Sequence, residues 1–135
     1  MTAAPAIRVA VAAHKPYRMP DDPMYLPVRA GAALGPCPEG MEGFQRDDEG
    51  DNISARNPSY SELTALYWMW RNCDADYKGL VHYRRLLGSP DPRRRRAADP
   101  YGRLVAAEEL LPLLEGQGVV VAKRRNYCIE TVYSH

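Results

Sequence analysis

Three short apolar runs, separated by stretches of helical character, constrain the fold of this chain most. The runs are Ile7–Ala13, Tyr77–Tyr83 and Val119–Ala122, and each is rich in residues that favour strands. Runs of this length and composition are typical of buried strands. One amphipathic segment lies between the first and second runs, and another lies between the second and third. Strands that alternate with helices predict an α/β domain with a mostly parallel sheet, flanked by helices and linked by right-handed crossovers.

The two intervening segments predict helices. The first begins near Asn57-Pro58-Ser59, because Asn and Ser cap helices and Ser59 with Glu62 has the spacing of a capping box. Apolar residues at helical spacing predict its core face, and they are Leu63, Leu66, Tyr67, Met69 and Trp70. Residues 104–114 predict the second helix, which Pro112 is expected to break or end early. The many prolines between residues 16 and 57 predict a long loop there.

Composition narrows the classes of function. The chain has 135 residues, enough for one domain, and a net charge of +1, so no overall field points to nucleic acid. Its three cysteines lack the spacing of a metal site or a disulfide framework, which favours free thiols in a reducing compartment. No apolar stretch is long enough to cross a bilayer, and the amino terminus lacks a signal-peptide pattern. We therefore expect a cytoplasmic protein.

Cationic and aromatic residues follow each predicted strand. His14-Lys15 follows the first, His82-Tyr83-Arg84-Arg85 ends the second, and Lys123-Arg124-Arg125-Asn126 follows the third. The carboxyl ends of parallel strands meet at one edge of a sheet, where the ligands of open α/β sheets bind. A shared cationic crevice implies an anionic ligand, and a nucleotide diphosphate fits it in charge and size. For the second cluster alone, the alternative is a strand that stops in a solvated basic turn.

Five ordered motifs, taken together, resemble one known family. They are Ala13-His14-Lys15-Pro16-Tyr17, residues 26–32, Gly50-Asp51-Asn52-Ile53-Ser54, residues 57–68 and residues 79–85, and the tail from Lys123 to Tyr133 also matches. They resemble the DUF4422 family of bacterial glycosyltransferase-like proteins of capsular and exopolysaccharide biosynthesis. The resemblance implies a GT-A-like, Rossmann-like fold and a single domain over residues 1–135. Family members continue beyond this length, so the resemblance also implies a truncated chain with an incomplete sheet, which is expected to bind a nucleotide-sugar weakly or to lack activity.

The same resemblance implies roles for individual residues. His82-Tyr83-Arg84-Arg85 takes the place of the D-x-D motif of metal-dependent GT-A enzymes, so Arg84 and Arg85 are expected to neutralise the leaving diphosphate. His82 is the best candidate for a general base. The residues expected to bind the donor are Ala13, His14, Lys15, Asp51, Asn52, Asn57 and Tyr83.

The acidic motifs give little support for a metal site. Asp74-Ala75-Asp76 is a literal D-x-D, but it precedes a strand and is therefore expected at the end of the sheet opposite the crevice. We interpret it as a helix-to-strand turn. Residues 47–51 lack the ligand spacing of a calcium loop, and the three histidines lack the spacing of a zinc site. No residue is assigned as a metal ligand.

The sequence thus predicts a protein that moves a sugar from a nucleotide donor, first of all a UDP-sugar, onto a polysaccharide or lipid-linked acceptor. Two alternatives stay open. One is a non-catalytic nucleotide- or carbohydrate-binding remnant of such an enzyme. The other is a structural or regulatory partner at the inner face of the plasma membrane, held there by Arg93–Arg96, although such runs are usually solvated.

Overall fold

A computed structural model describes residues 5–123 and places four parallel strands in one sheet. The strands are β1 Ile7–Ala13, β2 Tyr25–Arg29, β3 Gln45–Arg46 and β4 Tyr77–His82, in the spatial order β3-β2-β1-β4. The α-helices are α1 Asn57–Tyr60, α2 Leu63–Asn72 and α3 Ala107–Gln117. Short 3-10 helices cover Ala32–Leu34, Ser54–Arg56, Arg94–Arg96 and Pro100–Arg103. The predicted α/β class and parallel sheet are confirmed.

The central strand is β1, because its side chains are apolar on both faces of the sheet. Val9, Val11 and Ala13 belong to one buried cluster, which also contains Leu110 of α3. Ala10 and Ala12 alternate with them and belong to a second cluster on the side of α2. Burial of both faces is typical of a parallel strand with helices above and below it.

One strand, β2, lies where the proline-rich sequence predicted a loop, and that part of the prediction was wrong. β2 pairs in parallel with β1 along its whole length. Backbone N–H groups point to alternate sides along a strand. Ala30, just after β2, donates its N–H to the Ala13 carbonyl on the side of β1. Pro27 is three residues earlier, so an N–H at that position would point to the other side, toward β3. The pairing with β3 starts only at Val28. The missing donor of Pro27 therefore removes no ladder hydrogen bond.

The single helix predicted from Asn57 is two helices, and the predicted capping box does not form. Ser61 separates α1 from α2 and has a φ of 50°. The Asn57 side chain stabilises this break, because its Nδ2 donates to the Ser61 carbonyl at 2.8 Å and to Thr64 Oγ1 at 3.0 Å. Neither helix has a side-chain cap, so Ser59 and Glu62 do not serve as one.

The buried face of α2 also differs from the predicted face. The α2 residues that share a buried cluster with Ala10 and Ala12 are Ala65, Trp68 and Met69. Leu63 is 50% exposed and Trp70 is 59% exposed. The physical reason is the polar anchor at the start of the helix: Thr64 Oγ1 donates to the buried carboxylate of Asp47 at 2.7 Å, which turns that side of α2 inward.

Two predictions near the end of the described chain were wrong. Pro112 does not end α3, because it lies on the exposed side of the helix and removes only one backbone hydrogen bond. Val119–Ala122 is not a strand, and Val119 and Val121 are 75% and 81% exposed. No backbone ladder joins this segment to any of the four strands, so its strand-like composition is not matched by pairing. The cluster at residues 124–126 lies outside the described residues.

No helix within residues 5–123 is both long enough and apolar enough to span a membrane.

Candidate functional site

The carboxyl ends of β1 and β4 lie side by side at one edge of the sheet. Ala12 is paired with His82, so the residues that follow both strands are neighbours. The ring of His14 lies 6.3 Å from the ring of His82 and 5.3 Å from that of Tyr83, measured between centroids. The structure thus brings together the first two of the three predicted polar clusters.

Two adjacent cavities open at this edge, and together we call them the strand-end crevice. The first has a volume of about 330 Å³ and is lined by Ala12, Ala13, His14, Ala30, Asn57, Ser61, Glu62 and His82. The second, of about 320 Å³, is lined by Glu62, His82, Arg84 and Arg85. Glu62 and His82 belong to both cavities, so the two parts meet at these residues. A further cavity of about 320 Å³ lies between β4 and α3, but its lining is mainly aliphatic and offers no pair of cations.

The two arginines of the crevice are carried by a tight turn directly after β4. The N–H of Arg85 donates to the His82 carbonyl at 2.8 Å, and the N–H of Arg84 donates to His82 Nδ1 at 3.2 Å. Both arginines are exposed. Within residues 5–123, neither guanidinium group has an ion-pair or hydrogen-bond partner. Their donors are therefore available to an anion that enters the crevice.

The hydrogen bond from Arg84 also decides where His82 carries its proton. Because Nδ1 accepts that bond, the neutral ring has its hydrogen on Nε2, which lies 4.0 Å from Glu62 Oε1. Burial lowers the pKa of His82; Glu62 opposes this shift, whereas Arg85 and Arg84 add to it. A neutral His82 is therefore a donor through Nε2 at pH 7. In this tautomer the basic nitrogen is Nδ1, which faces the Arg84 N–H, so the general-base role suggested by the sequence stays a prediction.

A buried carboxylate, Asp47, fixes the wall of the crevice that contains Asn57. Its oxygens accept hydrogen bonds from Gly31 N, Ala32 N, Ser54 Oγ and Thr64 Oγ1, at 2.5–2.9 Å. Thr64 in turn receives the bond from Asn57 Nδ2. Gly31 has a φ of 70°, and a Cβ there would lie 2.9 Å from the Asn57 side chain. Asp47 thus positions this wall, and its oxygens are already occupied, so it does not belong to a cation loop.

The structure does not bring Asp51 and Asn52 to the crevice. Asp51 accepts hydrogen bonds from the Tyr67 hydroxyl and from Arg71 Nε, near the carboxyl end of α2. The amino end of α2 is the end that faces His82, and ten helical residues span about 15 Å. Asn52 Nδ2 is used within its own turn, where it donates to two backbone carbonyls. Their expected contact with the donor therefore has no support from their placement.

Three other predicted site residues differ in exposure. Tyr83 is buried and packs edge-on against the rings of His14 and Tyr17. It therefore holds His14 in place rather than lining the crevice itself. Lys15 is exposed just beyond His14. Asn57 lines the crevice, but α1 is a single turn and has no long helix dipole to offer an anion.

The D-x-D segment lies at the opposite end of the sheet, as its position in the sequence predicted. Asp76 accepts a hydrogen bond from the Ala6 N–H at 2.7 Å, beside the start of β1. Residues 5–123 contain no group of three side chains placed to hold a metal ion.

Sequence reasoning missed four residues of the crevice: the small Ala12 and Ala30, and the polar Ser61 and Glu62. The capping-box pattern gave Glu62 a structural role at the start of a helix, whereas the break at Ser61 places both residues in the lining. A left-handed serine has no clear signature in a single sequence, so this break could not be read from the residues alone.

Comparison with known proteins agrees with the fold. A family model described as "Domain of unknown function (DUF4422)" matches residues 8–135. The chain belongs to the DUF4422 family. This DUF4422 chain is also similar to a solved structure described as the apo structure of WbbM, a bifunctional glycosyltransferase, with 39% sequence identity and a TM-score of 0.58.

The similarity to WbbM covers 70% of the DUF4422 chain and 16% of the WbbM chain, so the present chain spans a small part of that protein's length. A comparison with curated proteins found no match. The parallel sheet and the likeness to a solved glycosyltransferase support a GT-A-like fold.

Proposed function

We propose that this DUF4422 protein acts as a glycosyltransferase that binds a nucleotide-sugar in the strand-end crevice. It transfers the sugar to a polysaccharide or lipid-linked acceptor in capsule or exopolysaccharide biosynthesis. The observation that carries the proposal is the pair of exposed guanidinium groups of Arg84 and Arg85, which follow β4 directly and line the same cavity as the Nε2–H of His82. The likeness to WbbM supports the reaction class.

The two arginines suit the chemistry of a leaving diphosphate. As the bond between the sugar and the diphosphate breaks, negative charge develops on the phosphate oxygens. Fixed cationic donors at that position stabilise the transition state more than the ground state. Planar guanidinium groups also match phosphate oxygens in a two-point geometry. Arg84 and Arg85 therefore supply positive charge that a divalent metal supplies in other enzymes, with His82 Nε2–H as a third donor.

The remaining part of the crevice accommodates the nucleoside. Its lining combines the small side chains of Ala12 and Ala13 with polar groups of His14 and Asn57. The two cavities, each of more than 300 Å³, reach the size range of sites for small ligands. A UDP-sugar is the donor to be tested first.

We place the reaction on the cytoplasmic side, where nucleotide-sugars are available to an acceptor at the inner membrane face. The arginine run at residues 93–96 contributes less to membrane binding than its charge suggests. Arg94 pairs with Glu108 and Glu109 of α3, and Arg95 Nε donates to the Ser89 carbonyl. Arg93 and Arg96 are the residues of the run left for contact with anionic lipid.

The proposal is tested by measuring UDP affinity with titration calorimetry after the double substitution Arg84→Ala and Arg85→Ala. Each charge-assisted hydrogen bond contributes about 1.5–3 kcal/mol, so we expect the affinity to fall by more than about tenfold. The matched control is Arg93→Ala with Arg96→Ala, which removes the same charge outside the crevice and should change the affinity less than about threefold. Equal affinities for the crevice variant and the unmodified chain would contradict the proposal.

The non-catalytic alternative is separated by a second measurement on the same preparations. Incubation with a UDP-sugar and a mixture of lipid-linked acceptors should release UDP if the chain transfers sugar. Tight binding of UDP-sugar without release of UDP would favour a nucleotide-binding role alone.

A further inference from the structure

Glu62 is the single carboxylate among the described residues that line the strand-end crevice, and it borders both cavities. Its nearest charged or titratable partner is His82, whose Nε2 lies 4.0 Å from Glu62 Oε1, beyond hydrogen-bond distance. Within residues 5–123, no donor reaches the Glu62 side chain closely enough for a hydrogen bond. An ionised carboxylate in this place therefore keeps its full capacity to accept hydrogen bonds.

The backbone before Glu62 is unusual, and its geometry is what places the carboxylate. Ser61 is the one non-glycine residue with positive φ in the described part of the chain. Without this break, α1 and α2 would form one helix and Glu62 would be free to cap it, as its spacing from Ser59 predicted. Backbone conformations of this kind are uncommon and tend to occur at binding sites, where the surrounding structure holds them in place.

A carboxylate beside Arg84 and Arg85 needs an explanation, because it repels the diphosphate that the arginines attract. The repulsion is offset if the same ligand presents neutral donors to the carboxylate. In a nucleotide-sugar, the ribose connects the base to the diphosphate. Glu62 lies where the part of the crevice bordered by His14 and Asn57 meets the part bordered by the arginines. The ribose of a ligand that occupies both parts would lie at that junction.

We propose that Glu62 accepts hydrogen bonds from the 2′- and 3′-hydroxyl groups of the donor ribose. A carboxylate has acceptor sites only, and each of its oxygens can take one hydroxyl of the diol. The protein would therefore select ribonucleoside diphosphate-sugars over their 2′-deoxyribonucleoside counterparts. This inference rests on the proposed function and adds the class of donor to it.

The test compares the affinities of UDP and 2′-deoxy-UDP by titration calorimetry. The unmodified chain should bind UDP about tenfold more tightly, since a hydrogen bond to a partly exposed charged group lies at the lower end of its usual range. In Glu62→Ala, the affinity for UDP should fall about tenfold, whereas that for 2′-deoxy-UDP should fall less, because this nucleotide loses only the hydrogen bond of its 3′-hydroxyl while the repulsion of the diphosphate is relieved for both. Glu62→Gln keeps the size of the side chain and should show an intermediate preference.

Controls separate this pattern from damage to the fold. Glu108→Gln changes an exposed glutamate of α3 and should leave both affinities unchanged. Circular dichroism shows whether each variant is folded, and equal losses of both nucleotides in a folded Glu62 variant would overturn the inference. The inference would also be overturned if the unmodified chain bound UDP and 2′-deoxy-UDP equally well. If the double substitution of Arg84 and Arg85 still weakened the binding of both nucleotides in that case, the proposed function would stand without it. Absence of binding to either nucleotide would instead overturn the proposed function and the inference with it.

Discussion

Replacing Asp47 with asparagine should destabilise the chain strongly, although the two side chains have nearly the same shape. Each oxygen of Asp47 serves one backbone N–H and one hydroxyl group. Oδ2 accepts from Gly31 N and Thr64 Oγ1, and Oδ1 accepts from Ala32 N and Ser54 Oγ. An asparagine has one oxygen and one NH₂ group, so in either orientation the NH₂ group faces a backbone N–H. That buried donor then has no acceptor.

The cost follows from this mismatch. A buried donor left without a partner costs about 1–3 kcal/mol, and the remaining bonds weaken because their acceptor is no longer charged. The hydroxyl groups of Ser54 and Thr64 can rotate and accept, which limits the loss. We expect Asp47→Asn to lower the free energy of unfolding by about 2–4 kcal/mol, among the larger effects of single substitutions.

The assay is equilibrium unfolding in urea, followed by circular dichroism. With a slope of about 2 kcal/mol/M, the midpoint should fall by about 1–2 M. Asp48→Asn is the matched control, because the neighbouring aspartate pairs with Arg46, whose side chain is half exposed, and such pairs contribute about 0–1 kcal/mol. If Asp47→Asn shifts the midpoint no further than Asp48→Asn, the argument from buried hydrogen bonds is wrong.

Two further predictions test the core and the crevice. Met69→Ala should lower the free energy of unfolding by about 2–4 kcal/mol and Leu63→Ala by less than about 1 kcal/mol, because Met69 is buried against β1 and Leu63 is half exposed; equal losses in urea unfolding would contradict the assignment of the buried face. His82 has a pKa lowered by burial, so its contribution to stability should be fully present above about pH 6.5 and should decline as the pH falls below that value. A titration of its ring by NMR should give a pKa below 6.5, and a value at or above 6.5 would contradict the described environment.

The sequence predicted the features that depend on short apolar runs. β1 and β4 were recognised because they are short, mainly apolar runs bounded by breaks in the pattern, and parallel pairing then followed from the helix between them. For the same reason the meeting of His14 with His82 could be expected before any coordinates. This part of the site depends on strand direction alone.

The features that sequence reasoning missed depend on contacts between distant residues. β2 contains Pro27, which is tolerated because β3 pairs only with Val28 and Arg29 and leaves no ladder hydrogen bond for residue 27 to make. The hydrogen bond between Thr64 and Asp47 determines which face of α2 is buried. These two residues are 17 positions apart and both are polar, so the spacing of apolar residues does not reveal the contact. Val119–Ala122 has the composition of a strand but pairs with none of the four strands, and composition alone does not determine pairing.

The outer side of β4 has a consequence for how the sheet can be extended. β4 is an edge strand, and residues 5–123 provide no neighbour for its outer backbone groups. Gly79 leaves the middle of this edge without a side chain, and Lys78 Nζ bonds to the Trp70 carbonyl, so its charge is directed toward α2. Strand edges are templates for further β-pairing. Within residues 5–123, these six residues of main chain are therefore the place where another strand, from this chain or from another molecule, would extend the sheet.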